Sequence, residues 1–262
     1  MTNLKNKTAL VTGSTSGIGL AIAEALAKAG ANIMLNGFGD AAEIEALKNT
    51  LQKNYHVSVH YSAANVADKS ALETLVAEIN HLFGSLDILV NNAGIQHVAP
   101  LIEFPDDKWE AILAINLTSA FRLSKLALPY MLKANWGRIV NIASAHGMVA
   151  SPFKSAYVAA KHGLVGLTKT IALEMAETNI TCNVVCPGYV KTPLVEKQIM
   201  EQAKAHKISA DQVIKEVLLK SQPNKKFIKP ENLADLVVFL CSDSAEGMTG
   251  EVIAMDGGWT AH

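Results

Sequence analysis

The chain is short of charge, of aromatic side chains and of cysteine, and each shortage removes a class of function. Only 18% of its 262 residues are charged and 6% are aromatic. Basic and acidic residues number 23 and 24, are scattered along the sequence and leave a formal net charge of -1. A nucleic-acid or anionic-membrane partner calls for a one-sided electrostatic footprint, and none is present. The three cysteines, Cys182, Cys186 and Cys241, are odd in number, lie among apolar neighbours and lack the paired spacing of a zinc site or redox motif. They read as core thiols in a reducing compartment, and no metal is expected. Met1 to Lys7 is polar and runs straight into an apolar strand, unlike a signal peptide, and no uninterrupted apolar run is long enough to span a bilayer. The expectation is a cytoplasmic protein with a small-molecule partner. No internal repeat, low-complexity tract or linker divides it.

What is present is apolar bulk. Half the residues are hydrophobic, enough to bury a large core, and α/β chains of this length routinely form one domain, here residues 1–262. Apolar, β-rich runs at Thr8 to Thr12, Asn32 to Leu35, Ser58 to Tyr61 and Asp87 to Asn91 alternate with helical patterns. Further strands are expected at Arg138 to Ile142, Thr181 to Val185 and Glu251 to Met255, with helices over Trp109 to Lys133, Ser155 to Thr178 and Asn232 to Ser242. Such alternation means βαβ units: an α/β, doubly wound Rossmann fold with a seven-stranded parallel sheet, helices on both faces and ligands at the carboxyl ends of the strands. One stretch, about 192–227, breaks the rhythm with two extra helical patterns. Thr192-Pro193 is a helix start, and Ser209 with Gln212 has capping-box form. Leu194, Val195, Ile199, Val213, Ile214, Val217 and Leu218 would face the body, either as a substrate lid or as a packed surface excursion.

The first strand is followed by Gly13-Ser14-Thr15-Ser16-Gly17-Ile18-Gly19, which opens directly into a helix. Glycines let the backbone approach a pyrophosphate, and the free N–H groups and positive end of the helix stabilise its charge. After the second strand, Asn36-Gly37-Phe38-Gly39-Asp40 holds no Arg or Lys to pair a 2′-phosphate, so NAD is the expected cofactor. The acidic residue that usually binds the ribose hydroxyls at the strand's end is absent too. Phe38 and Asn65-Val66 would border the adenosine, and Asn92, Ala93 and Gly94 would let the backbone pass close to the cofactor.

Tyr157 and Lys161 are four residues apart in a helical pattern and so share a face. At roughly 4 Å and an effective dielectric of about 20, a cation contributes about 4 kcal/mol, enough to lower a phenol from about 10 towards about 7 and make it a general base. Ser144 ends the fifth predicted strand, where an active-site group belongs.

Together the glycine loop, Asn91-Asn92-Ala93-Gly94, Asn116, Ser144, Tyr157-x-x-x-Lys161, Pro187-Gly188 and the Asp256-Gly257-Gly258 ending resemble the short-chain dehydrogenase/reductase family along essentially the whole chain. The resemblance implies a polarising Ser144, a proton-exchanging Tyr157, and a Lys161 that binds the nicotinamide ribose and lowers the tyrosine pKa. It also implies an Asn116 that holds a water, with Pro187, Gly188, Val190 and Thr192 beside the nicotinamide. The family is mostly tetrameric. A homotetramer is therefore expected, with the apolar helices Trp109 to Lys133 and Ser155 to Thr178 between copies.

Gln96, His146, Lys154 and Gln198 add a donor-rich group suited to a small carboxylate, although each alone would pass as an ordinary surface residue. With Ser144, Tyr157, Lys161 and Trp259 they resemble the branch of the family that interconverts (R)-3-hydroxybutyrate and acetoacetate with NAD. A 3-oxoacyl carrier-protein reductase and a catalytically silent dinucleotide sensor remain as alternatives. The first would dock an acidic carrier through basic residues; the second would have no need of a tuned phenol.

Overall fold

The computed structural model describes residues 2–192, 195–196, 199–200, 203 and 208–261. Its centre is a parallel sheet of seven strands: β1 (Thr8–Val11), β2 (Asn32–Asn36), β3 (Val59–Ser62), β4 (Ile88–Asn91), β5 (Gly137–Ile142), β6 (Ile180–Pro187) and β7 (Val252–Met255). Their order is β3-β2-β1-β4-β5-β6-β7, all parallel, as expected for the doubly wound fold. A strand's side chains alternate between faces, and a sheet covered on both sides must be apolar on both. Ala9, Val11, Ile33, Leu35, Ile88, Val90 and Val140 accordingly point into one core, and Leu10, Met34, Leu89, Ile139 and Cys182 into the other.

The helices are α1 (Gly17–Lys28), α2 (Ala41–Tyr55), α3 (Lys69–Phe83), α4 (Asp106–Leu113), α5 (Ser119–Ala134), α6 (Ser155–Glu174) and α7 (Pro230–Leu240). Buried residues of α1, α2 and α7 join the first core, and those of α3, α5 and α6 the second. The winding direction therefore changes between β1 and β4, and a crevice opens there at the strands' carboxyl ends.

Two expectations need adjustment. The helix read over Trp109 to Lys133 is α4 and α5 joined through a π-turn at Ala114–Thr118. As one run, Asp106–Ala134, it is long enough to cross a bilayer and holds an 18-residue window with a mean hydropathy of 1.3. The sheet, however, takes its inner side: Leu123, Ala127 and Met131 belong to the second core. In the inserted segment the capping box is present, with Ser209 and Gln212 each accepting the other's backbone N–H at 3.2 and 3.1 Å. It starts a short helical piece, Ala210–Gln212, that continues in π-geometry over Val213–Leu218. Ile199, Val213 and Leu218 form a small apolar cluster with Tyr189, Val195 and Ile214, while Val217 stays partly exposed and faces a cavity. Leu194 and Gln198 lie outside the described residues.

Candidate active site

The switch point is stapled before any ligand arrives. Thr12, just past β1, accepts the Asn92 and Ala93 N–H groups on its Oγ1 at 2.9 and 3.0 Å. Asn92 in return donates its side-chain amide to the Thr12 and Gly13 carbonyls at 2.8 and 3.1 Å. The glycine loop is thereby pressed against the exit of β4, and a Cβ on Gly19 would lie 2.2 Å from the Gly13 oxygen. Close packing of α1 against its own loop leaves no room for another residue there.

The N-terminus of α1 is unlike those of its neighbours. Asp40 caps α2 through the Ala42 and Glu43 N–H groups, and Asp68 caps α3 through those of Ser70 and Ala71. Ser16, at the same place on α1, makes no side-chain cap, and the first turn holds no acidic residue. Its orphan donors and positive dipole end face a cleft of about 420 Å³ lined by Gly13, Thr15, Ser16, Gly17, Ile18, Gly19, Phe38, Asn65, Val66, Asn92, Ala93, Gly94 and Thr192. Such donors can stabilise an anion, and the residues expected at this end of the cofactor site all border the cleft.

The adenosine end is fixed by Thr15, whose hydroxyl donates to the Phe38 carbonyl at 2.8 Å, and by Tyr61, whose hydroxyl donates to the Gly37 carbonyl at 2.9 Å. Asn36 is engaged internally with the Ser62 and Ala64 carbonyls. Phe38, 68% exposed, lies on the cleft wall with its face open. Asn65, which also lines the cleft, accepts the Ala67 N–H on its side-chain oxygen at 3.0 Å.

The cleft continues into a cavity of about 800 Å³ bordered by Gln96, Ser144, His146, Lys154, Tyr157, Lys161, Pro187, Gly188, Val190, Thr192 and Trp259. Ser144 follows β5 in extended conformation, and Tyr157 and Lys161 occupy the start of α6. Lys161 is 3% exposed; its ammonium donates to the Ile142 carbonyl at 2.8 Å and sits 5.6 Å from the Tyr157 ring centre.

In this protein alone the phenol is not lowered. Burial holds Tyr157 above the ordinary tyrosine range, with the Ser144 hydroxyl pulling the other way, and burial brings Lys161 down to about 8. The sequence argument assumed a cation at about 4 Å in a surface-like dielectric. The observed ammonium is turned to a main-chain carbonyl and is itself desolvated.

Asn116 is 2% exposed and sits in the π-turn. Its side chain clamps Ile95, accepting the N–H and donating to the carbonyl, both at 2.9 Å. The π-turn also leaves a main-chain carbonyl without its helical donor, free to accept from a water.

His146 is held by hydroxyls at both ring nitrogens, Ser144 at 3.4 Å and Ser151 at 2.9 Å, and burial beside Lys154 lowers its pKa to about 4. Burial thus disfavours its charged form, and its ring lies against Ser144. Lys154, half-buried at the mouth of α6, is lowered by desolvation, and among the described residues no carboxylate lies within salt-bridge distance of it.

Tyr189 escaped the sequence analysis. It stacks on Trp259 with ring centres 5.9 Å apart and planes 7° from parallel, and Trp259 meets His146 edge-on at 5.0 Å. The signal available was only its place after Pro187-Gly188, since the residue that stacks on it lies 70 positions further on.

Comparison with known proteins agrees with this geometry. A family model described as enoyl-(acyl carrier protein) reductase matches residues 13–260. Two curated relatives named D-beta-hydroxybutyrate dehydrogenase are similar over nearly their whole length. The one from Rhizobium meliloti is 55% identical, covering 97% of this chain and 99% of its own; the one from Cupriavidus necator is 52% identical, covering 98% and 99%. The crystal structure of L-sorbose reductase from Gluconobacter frateurii, complexed with NADPH and L-sorbose, superposes with a TM-score of 0.94 at 32% identity, covering 100% of this chain and 99% of that one. The uncapped α1 cradle, the Ser144, Tyr157 and Lys161 cluster and these matches together place the chain in the short-chain dehydrogenase/reductase family of oxidoreductases.

Proposed function

We propose that the protein catalyses the NAD-dependent, reversible oxidation of (R)-3-hydroxybutyrate to acetoacetate. The observation that carries the substrate assignment is Lys154. It is a half-buried cation bordering the catalytic cavity, and it has no anionic partner among the described residues. A desolvated ammonium of this kind is stabilised by a ligand carboxylate. The names of the two dehydrogenase relatives support the same reading.

In this mechanism Lys154 pairs with the substrate carboxylate, and Gln96 and Gln198 add directional hydrogen bonds. Trp259 and Tyr189 close the apolar side. Ser144, oriented by His146, donates to the oxygen on C3, and Tyr157 takes the hydroxyl proton. Lys161 favours the phenolate and bonds the cofactor ribose, and Asn116 holds the Ile95 turn beneath it. A dinucleotide held in the cleft would supply the hydride acceptor for C3 and a cationic ring that favours the phenolate. NAD is assigned over NADP because residues 36–40 contain no Arg or Lys to pair a 2′-phosphate.

Three buried free thiols suit a reducing compartment, and we place the reaction in the cytoplasm. The exposed Trp109, Phe121 and Leu132 of α4 and α5 and the exposed Leu173 of α6 support packing between copies in a homotetramer. Light scattering at micromolar concentration checks this, and a monomeric mass overturns it.

The deciding experiment follows reduced-nicotinamide absorbance with (R)- and (S)-3-hydroxybutyrate against NAD⁺ and NADP⁺. Turnover with the (R)-acid and NAD⁺ alone is expected. Turnover of 3-oxoacyl thioesters instead would move the substrate to a carrier-bound acyl chain. Tight NADH binding with no turnover of any alcohol would make the protein a dinucleotide sensor.

A further inference from the structure

Gln222 lies in the inserted segment, carries no chemistry of its own and is fully buried. Its side-chain oxygen accepts the Tyr189 N–H at 3.1 Å. Its amide nitrogen donates to the Asn224 side chain at 3.2 Å and to the Lys226 carbonyl. Its backbone N–H bonds the Leu219 carbonyl at 3.1 Å, at the end of the helical turn that packs against the cavity. Next along, the Asn224 N–H donates to the Gly257 carbonyl at 3.2 Å. From there the Asp256 carboxylate accepts the Gly258 and Thr260 N–H groups at 3.0 and 2.8 Å, forming the turn that presents Trp259.

We propose that Gln222 is a positioning residue for the substrate wall, tying the inserted helical segment to Tyr189 on one side and, through Asn224, to the turn carrying Trp259 on the other. The Gln222 amide holds the segment after β6 directly, and the turn carrying Trp259 is reached one step further on, through the Asn224 main chain. The fit is tight at both ends: a Cβ on Gly188 would lie 2.4 Å from the Gln222 oxygen, and one on Gly257 would lie 2.4 Å from the Asn224 side chain. The stacked Tyr189 and Trp259 rings therefore have their backbones fixed to a common point. Side-chain packing alone would let two stacked rings slide; a buried amide with its donors and acceptor all satisfied fixes their register. The helical piece Val213–Leu218 and the aromatic wall are thereby held in one arrangement.

This proposal rests on the reading of the cavity as a hydroxy-acid site. The test is Gln222→Met, which keeps length and volume but leaves the Tyr189 N–H unpaired. With (R)-3-hydroxybutyrate the KM should rise at least tenfold while the NADH dissociation constant, by fluorescence titration, stays within twofold. The near-UV circular dichroism of the Tyr189 and Trp259 stack should weaken, with a Trp259→Phe variant marking that signal. A lowered melting temperature with unchanged KM and unchanged dichroism would overturn the proposal, as would a parallel loss of NADH affinity. If Gln222→Met fails to fold, Asn224→Ala decides, because from an exposed position it removes the side-chain oxygen that holds the Gln222 amide in place. A KM rise of at least threefold is then expected, and no change overturns the proposal. If the unaltered protein oxidises no hydroxy acid, the reading of function fails. The dichroism and NADH binding of the variants still decide whether Gln222 aligns the wall.

Discussion

At the end of the cleft proposed for the dinucleotide the groups that line it are mainly main-chain donors, supplied by one continuous stretch from Gly13 to Gly19 and stapled by Asn92. At the substrate end they are side chains: Gln96 after β4, Ser144 and His146 after β5, Lys154 and Tyr157 at α6, Tyr189 after β6, Val217 in the insertion and Trp259 at the end of the chain. A ligand common to many proteins can be held by backbone geometry. A particular substrate has to be distinguished by residue identity. Changes at the two ends should therefore separate cleanly: altered chemistry and KM on one side, altered dinucleotide affinity on the other.

The largest expected effect tests that separation at its centre. Tyr157→Phe removes the proton acceptor while keeping the ring, and general acid–base catalysis contributes on the order of 10²–10⁴. Turnover should fall about a thousandfold with NADH affinity unchanged, measured by stopped-flow absorbance and fluorescence titration. Retained activity would assign the proton to another group.

His146 sharpens the comparison through stability. Its pKa is about 4 in the folded protein and about 6.5 unfolded, so between those values only the unfolded chain takes up the proton. The stability conferred by burying a neutral imidazole is complete above pH 6.5 and is lost as pH falls towards about 4. Over the full window the loss is about 3 kcal/mol. Urea denaturation at several pH values should show this acid slope in the unaltered protein and a flatter one in His146→Gln. Equal slopes would mean that the imidazole is solvated.

Lys154→Ala should raise the KM for the hydroxy acid tens-fold, about 2 kcal/mol for a carboxylate left without its charged partner, and leave NADH binding intact. An unchanged KM would remove Lys154 from the site.

The difference in construction also explains what was legible in the sequence. The strands, the glycine loop and the Tyr157 and Lys161 spacing are local patterns, because strand alternation, a strand-to-helix turn and one helical turn each span a few residues. Ser209 and Gln212 could be paired for the same reason. Tyr189, Gln222 and Asn224 were not legible, since their roles come from contacts across 33 to 70 positions, and only Tyr189 adjoins a motif, Pro187-Gly188. The sign of the Tyr157 shift was missed for a related reason: spacing along a helix brings Lys161 near, but burial and the Ile142 carbonyl decide where its charge is felt.

The smallest predicted effect returns to α1. Asp40 and Asp68 cap α2 and α3 by side-chain bonds, whereas Ser16 leaves the first turn of α1 without one. Ser16→Asp would complete the cap, and an aspartate at that position beside the helix dipole contributes about 1 kcal/mol. The same carboxylate would stand where the diphosphate is proposed to bind. The unliganded protein should melt slightly higher while NADH affinity falls about tenfold, a split visible by comparing melting curves with and without dinucleotide. If Ser16→Asp raised stability and left NADH affinity unchanged, α1 would be an ordinary helix start, and the diphosphate would have to bind through other groups of the cleft.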